Sequence, residues 1–553
     1  MTEASRRLAL GVLGVVVLGV CSLGCADQRL PAPVLLQPEQ GAATGSVWAP
    51  ASLTPLFQWT AVAGASSYEL QVDDSCATPV GCPFPTPEIG VTVQQPRYQA
   101  SPLAVSSVAP VGRRYSWRVR ACADSCGGWS PTFLVDVGRQ NQDFNGDGYA
   151  DLVIGASGAT EPSGAFVYLG GPAFSATSAP SWTVSSTDGL AVGYQATWLG
   201  DVDGDGFAEL AYLAARPTDT GQASLNVVRI LRWGGSPGAV VAQEISTEAI
   251  TLLRPAGDVN GDGFRDLYLN AQVSGQSIHL VYLGSASLQP LGAGMPVGLY
   301  PDPGHFLGST DLNDDGALDL IFERVGGAGH DVVWGDATAA PFQPIRTASL
   351  NLGADDLRLI GKGVVDLGGT IPVGLVMSGA QASSVSTPFA LQGLSAGGTL
   401  PSSACDGRLP APPSGLMSIA DGAVVGDTDG DGYADFVVGD AVTTNNRSVL
   451  YYGGCPATRF LVLPGGDNGQ GGGFAGTGAR PATGAAVAAA GDLNGDGYPD
   501  FVVGNPYATE DGPGTGEAYV YFGGPGLSPA PAVVLTNPIN TTGAADGFGR
   551  FVD

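Results

Sequence analysis

A nine-residue acidic pattern, D-x-[DN]-x-D-G-x-x-[DE], occurs six times in this chain, beginning at Asp143, Asp201, Asp258, Asp311, Asp427 and Asp492. Successive starts lie 58, 57, 53, 116 and 65 residues apart, so the long gap is two periods wide and a seventh unit belongs near residue 366. Asp366 to Gly374 has the loop length and Leu375, Val376 and Met377 supply the following strand, but the later acidic positions have been replaced. Each acidic stretch runs into an apolar strand, such as Leu152 to Ile154, and later into a second one, such as Phe166 to Leu169. A period near 58 residues with about four short strands exceeds the leucine-rich and ankyrin repeats and suits a blade of a β-propeller. Eighty-five glycines and forty-one prolines fit short strands joined by tight turns. The expected fold is all-β, with a seven-bladed β-propeller over residues 141–553 whose fifth blade lacks an acidic loop.

The first unit has no strand of its own before Asp143, while residues 548–552 (Phe548, Gly549, Arg550, Phe551, Val552) read as a strand with no unit after it. Placed in the first blade, that strand closes the ring at seven. The competing reading is a chain cut at the start of an eighth repeat.

Within each pattern, side-chain oxygens fall at positions 1, 3, 5 and 9, a backbone carbonyl is expected at 7, and Gly at 6 permits a sharp turn. Oxygen-only ligands at this spacing suit a hard cation such as Ca²⁺. The candidate ligands are Asp143, Asn145, Asp147 and Asp151; Asp201, Asp203, Asp205 and Glu209; Asp258, Asn260, Asp262 and Asp266; Asp311, Asn313, Asp315 and Asp319; Asp427, Asp429, Asp431 and Asp435; and Asp492, Asn494, Asp496 and Asp500, for up to six ions. The second and fifth of these loops carry four carboxylates and the others three, twenty of the chain's 51 acidic residues. An EF-hand needs a bidentate Glu at position 12, where this chain has Ile154, Tyr212, Leu269, Phe322, Val438 and Val503. Asp, Asn and Gly also favour turns for backbone reasons alone. However, three or four carboxylates in one short turn repel unless a cation compensates, and the pattern recurs six times. No His or open-site pattern accompanies the loops, so the expected role of the metal is structural. A net charge of −28 with 23 basic residues excludes nucleic acid as a partner, because phosphate binding needs clustered Lys and Arg.

These repeats resemble the FG-GAP repeats of the integrin alpha-subunit propeller and of many bacterial proteins, over about 410 residues. Phe548-Gly549 corresponds to the FG, while Gly155-Ala156-Ser157 and Gly504-Asn505-Pro506 approximate the GAP. The resemblance implies calcium-stiffened blades and ligand binding on propeller loops. No inserted adhesion domain is present, so integrin ligand specificity does not carry over.

Upstream, Arg6 and Arg7 precede an apolar run from Leu8 to Val20, too short to span a bilayer but suited to a secretory signal at 1–25. Ser22-Leu23-Gly24-Cys25 resembles a bacterial lipoprotein cleavage box, which makes Cys25 the lipidated first residue, attached by a tether at 26–34; ordinary cleavage near Ala26 with full secretion is the alternative. Over 35–138, Phe57 and Trp59, then Tyr68, Leu70 and Val72, then Tyr115, Trp117 and Val119, then Phe133 and Val135 after Trp129-Ser130, alternate as half-buried strands. Their order resembles a fibronectin type III sandwich. The six cysteines beyond the signal fall in close pairs, Cys76 with Cys82, Cys122 with Cys126 and Cys405 with Cys455; in an oxidising compartment they form disulfides, with cross-pairing between the first two pairs also open.

Two catalytic signatures occur without their context. Gly393-Leu394-Ser395-Ala396-Gly397 lacks the strand-turn-helix of a nucleophile elbow, and Gly471, Gly473 and Gly476 lack the helix of a dinucleotide site. His279, His305 and His330 stand apart from one another in sequence. The expectation is a non-enzymatic cell-surface protein that binds a protein or glycan and touches the membrane through its lipid anchor. A carbohydrate- or lipid-active enzyme carrying such a propeller, and a passive spacer, are the alternatives.

Overall fold

The computed structural model describes residues 30–76, 81–156, 164–185, 192–215, 226–235, 239–247, 250–273, 276–287, 291–292, 294–296, 305–311, 315–323, 330–336, 345–350, 357–365, 374–381, 385–392, 407–408, 419–440, 447–453, 459–464, 486–506, 516–538 and 547–553, with the backbone alone for 345–408. Cys25, Cys405, Cys455 and both Gly-rich signatures lie outside these residues. Among them the sole helical element is the 3-10 turn Pro50–Ser52.

Two sheets pack face to face over residues 35–137. One holds Leu35–Gln37, Leu56–Trp59 and Arg97–Gln99; the other holds Ala42–Thr44, Phe133–Val137, Arg113–Cys122, Ser67–Asp73 and Ile89–Val93. The alternating residues share one core, in which Trp117 meets Phe57 and Phe133 at ring-centroid distances of 5.1 and 6.0 Å. Cys76–Cys82 and Cys122–Cys126 are disulfides.

Among the described residues, seven four-stranded antiparallel units follow. The second, Ala196–Gly200, Glu209–Ala215, Asn226–Trp233 and Ala239–Thr247, shows the plan, with the acidic loop joining its first strand to its second. The fifth and sixth units are joined by one parallel bridge, Gly361 to Gly422. Their strands read as continuous apolar runs because both faces are covered: every residue of Leu152–Ala156, Gly164–Tyr168 and Ala196–Gly200 is buried.

The first unit takes its first strand from the C-terminal end, and Trp182–Ser185 is its fourth. Phe551 and Val552 pair with Gly155 and Ile154, whereas Phe548 makes a separate bridge to Gly516, so the strand is Phe551–Val552 and shorter than the 548–552 expected. The turn at Gly549 and Arg550 separates the two contacts. First strands of successive units lie side by side from the second to the seventh. The seventh meets Phe551–Val552, and Leu152–Ala156 of the same sheet meets the second unit. Leu152, Ile154 and Phe166 of the first unit accordingly share a core with Val502 and Val520 of the seventh.

Candidate metal sites

All six acidic loops fold alike among the described residues. The position-1 carboxylate accepts from the backbone N–H group at position 6 in every loop and from position 4, position 5 or both besides, as in Asp147 and Gly148 to Asp143 at 3.0 and 2.7 Å and Gly204 and Gly206 to Asp201 at 2.6 and 3.1 Å. The position-5 carboxylate accepts from position 7, as in Tyr149 to Asp147 at 3.0 Å. The buried position-9 carboxylate ties the start of the loop to the end of the next strand but one, since Phe144 and Gly170 both donate to Asp151, at 2.8 and 2.9 Å. The same clasp recurs at Asp266, Asp435 and Asp500. Asp311, Asp315 and Asp319 follow the pattern, while Asn313 lies outside the described residues. The position-6 glycines Gly148, Gly206, Gly263, Gly316, Gly432 and Gly497 all have φ between +90° and +94°. A Cβ on Gly432 would meet open space, so Gly432→Ala isolates backbone strain and should cost about 1–3 kcal/mol in denaturant unfolding. A neutral result would mean that the turn relaxes freely. The position-12 residues are all buried strand residues, which removes the EF-hand reading.

Among the described residues, four of the loops are also bonded to the loop before them. The position-8 N–H donates to the preceding position-1 carbonyl: Ala208 to Asp143, Arg265 to Asp201 and Leu318 to Asp258. Ala150 donates in the same way to Asp492 at 2.9 Å, joining the first loop to the last. The position-7 aromatic covers the position-4 glycine of the preceding loop, Phe207 over Gly146 and Phe264 over Gly204, and Tyr149 over Gly495 again links first to last.

A profile described as an FG-GAP-like repeat matches residues 143–212, spanning the first two loops, and one described as an FG-GAP repeat matches residues 483–521, spanning the last. The chain carries FG-GAP repeats. No curated protein matches. Among solved structures, the rhamnogalacturonan lyase PL11 of Bacillus licheniformis is 12% identical, covers 86% of this chain and 89% of its own, and superposes with a TM-score of 0.31. A luciferin-regenerating enzyme is 12% identical over 64% of this chain and 90% of its own, with a TM-score of 0.23. The FG-GAP repeats and the disulfides point to an extracellular protein.

In two FG-GAP loops the carboxylates of positions 1, 3 and 9 converge, Asp201 with Asp203 and Glu209, and Asp427 with Asp429 and Asp435, each set with ligand atoms within 4.8 Å of one another. Asp205 and Asp431 stand outside these sets. In the loops with Asn at position 3, the amide instead donates to the position-5 carboxylate, as in Asn145 to Asp147 at 2.9 Å. The donor set suits a hard cation. Glu209 supplies an independent sign of fit: its Oε2 accepts from Val202, but its fully buried Oε1 has no hydrogen-bond partner. One methylene longer than Asp, it leaves an acceptor inside the cage.

Burial first, and Asp147 and Asp262 next, push Asp143 and Asp258 up to about 7. Burial likewise raises Asp435 to about 7 and, with Asp205 adding to it, Asp203 to about 6. These carboxyls titrate above their unfolded values, so without metal the folded state binds the extra protons. The stability this contributes is present at low pH and lost as pH rises through about 7. Protein in excess chelator should therefore melt higher at pH 5.5 than at pH 8, and saturating calcium should remove the difference. Equal melting at both pH values in chelator would contradict the desolvated cage.

The structure adds a neighbour that the repeats do not announce: the sandwich sits on the acidic loops. Arg114 is bidentate to Asp136, donates to the Gly263 carbonyl at 2.8 Å, and lies 3.7 Å from Asp201. Trp48 stacks on Tyr149 at 5.0 Å and donates to the Asp147 carbonyl. The sixth unit has its own counter-charge, Arg459, 2.7 Å from Asp429, 3.5 Å from Asp431 and over the Tyr452 ring. Nothing in the spacing of these arginines signals their role. Of the histidines, His279 is buried, bonded through Nδ1 to Tyr268 and packed on Phe322, a core position.

Proposed function

We propose that this chain is an exported, calcium-stiffened, seven-bladed FG-GAP propeller that binds a protein or glycan at the cell surface, held there through a lipid on Cys25. The observation that carries the reading is the series of acidic loops, the second to the fourth each bonded to its predecessor and the first bonded to the last, with the orphaned Glu209 oxygen in one cage. Calcium in such loops is structural: it neutralises the carboxylates and fixes the ends of neighbouring blades. No catalytic step is part of the proposal.

Because the sandwich occupies the acidic-loop face of several units, the ligand is assigned to the opposite face, where the fourth strand of each unit returns to the next. Tyr194, in the return from the first unit to the second, is exposed there. Arrays of extracellular-matrix proteins and glycans probed with the mature chain should give ligands retained in calcium and released by chelator, with Tyr194→Ala weakening them. Ligands held equally well in chelator would overturn the calcium-dependent reading. Cys25→Ala should move the protein from the membrane fraction to the medium; an unchanged membrane fraction would remove the lipid anchor.

A further inference from the structure

The sandwich does not cover the six acidic loops alike. A Cβ on the position-6 glycine would stand 2.6 Å from Val47 at Gly148, 2.7 Å from Pro110 at Gly206, 3.0 Å from Ala49 at Gly497 and 3.6 Å from Phe133 at Gly316, and the Gly263 carbonyl accepts from Arg114. Gly432 faces open space instead. Gly430, Asp431, Gly432 and Tyr433 form an exposed run, the longest in any loop among the described residues. The unit before this loop carries no acidic pattern, so Tyr433 has no position-4 glycine to cover and stands 37% exposed. The uncovered loop also has a cation in place. Arg459 donates through Nη2 to Asp429 Oδ2 at 2.7 Å and lies 3.5 Å from Asp431 Oδ2. Its side chain is 58% exposed and rests 4.3 Å over the Tyr452 ring. In the second loop, by contrast, Arg114 and Arg139 approach Asp201 at 3.7 and 4.0 Å while both also hold Asp136 of the sandwich.

We infer that the loop at 427–435 is the exchangeable calcium site of this chain, with Arg459 as its built-in competing cation. The inference rests on the calcium reading of the loops and adds an order among them. Asp429 and Asp431 are two of the four candidate ligands there. A guanidinium bonded to them has to leave, or to stay beside a divalent ion that repels it, and either course weakens binding. The pair is exposed to solvent, so the weakening is modest, about three- to tenfold in Kd. Ions in the other five loops sit against the sandwich and leave only when that contact opens, which slows their exchange. The uncovered loop needs only the swing of an exposed side chain, which is fast. Each filling of the site frees Arg459, and each emptying returns it to Asp429.

Stopped-flow mixing of the calcium-loaded mature chain with an excess of a fluorescent chelator tests it. One ion per chain should leave at least about tenfold faster than the rest. Asp429→Ala should remove that fast ion and leave the slow ones. Arg459→Gln should keep it and tighten its Kd, read by competition titration against the chelator, by about three- to tenfold, with the slow ions unchanged. The wild-type trace alone decides if a variant fails to fold. A single release phase, a fast ion that survives Asp429→Ala, or a Kd unmoved in Arg459→Gln would overturn the inference while leaving calcium in the loops. A wild-type chain that releases no calcium at all would take the calcium reading down with it.

Discussion

The mature chain will unfold at a temperature lower by on the order of 10 °C or more in excess chelator than in millimolar calcium. A cation that binds the folded state alone stabilises it by about 2.7 kcal/mol per site at a hundredfold excess over Kd, and the loops offer up to six sites. The effect should exceed that of six independent turns, because the position-9 carboxylates Asp151, Asp266, Asp435 and Asp500 clasp their own sheets while the backbone carbonyls of Asp143, Asp201, Asp258 and Asp492 hold the next loop. Loss of metal leaves buried carboxylates facing one another at Asp201, Asp203 and Glu209 and at Asp427, Asp429 and Asp435. The second cage should suffer less, since Arg459 already leans on Asp429 and Asp431. Calcium and chelator giving the same melting temperature would show that the acidic turns fold for backbone reasons alone, and the proposed role of the metal would fall.

The loops were legible because their constraint is local. Nine residues carry both the turn chemistry and the oxygens, and the position-6 glycine that the pattern requires adopts the positive φ expected of it. The strands were legible for the same reason, as apolar runs following each loop. The link between first and last loops could be guessed only in part: the aromatic at position 7 and the glycine at position 4 are visible in five of the six loops, but that one covers the other across neighbouring units is a contact between distant segments. What escaped was set by contacts between distant segments. Arg114 lies 87 residues before Asp201, in a strand whose inward face is read from Tyr115 and Trp117, and nothing local says that its outward face meets the loops.

Removing residues 548–553 should cost more than any single substitution. Phe548 and Val552 are fully buried and Phe551 nearly so, and burial of each such side chain contributes about 1.5–3 kcal/mol. Asp553 exchanges both backbone hydrogen bonds with Val153, and its side chain and carbonyl hold Thr197 and Trp198 of the second unit. The truncation thus bares the edge of Leu152–Ala156 and withdraws a shared wall from the first, second and seventh units together. Against a total stability of about 5–15 kcal/mol, the sum is enough to abolish cooperative folding. Phe548→Ala, which keeps the strand and deletes one ring packed on Phe166, should cost about 3–5 kcal/mol and remain foldable in calcium. Calcium should rescue the point variant but not the truncation, because metal tightens loops and cannot supply a missing strand. A truncated chain that melts cooperatively within a few degrees of the full one would mean that the pairing of Phe551 and Val552 with the first unit is incidental, and that the sheets hold together as an open row.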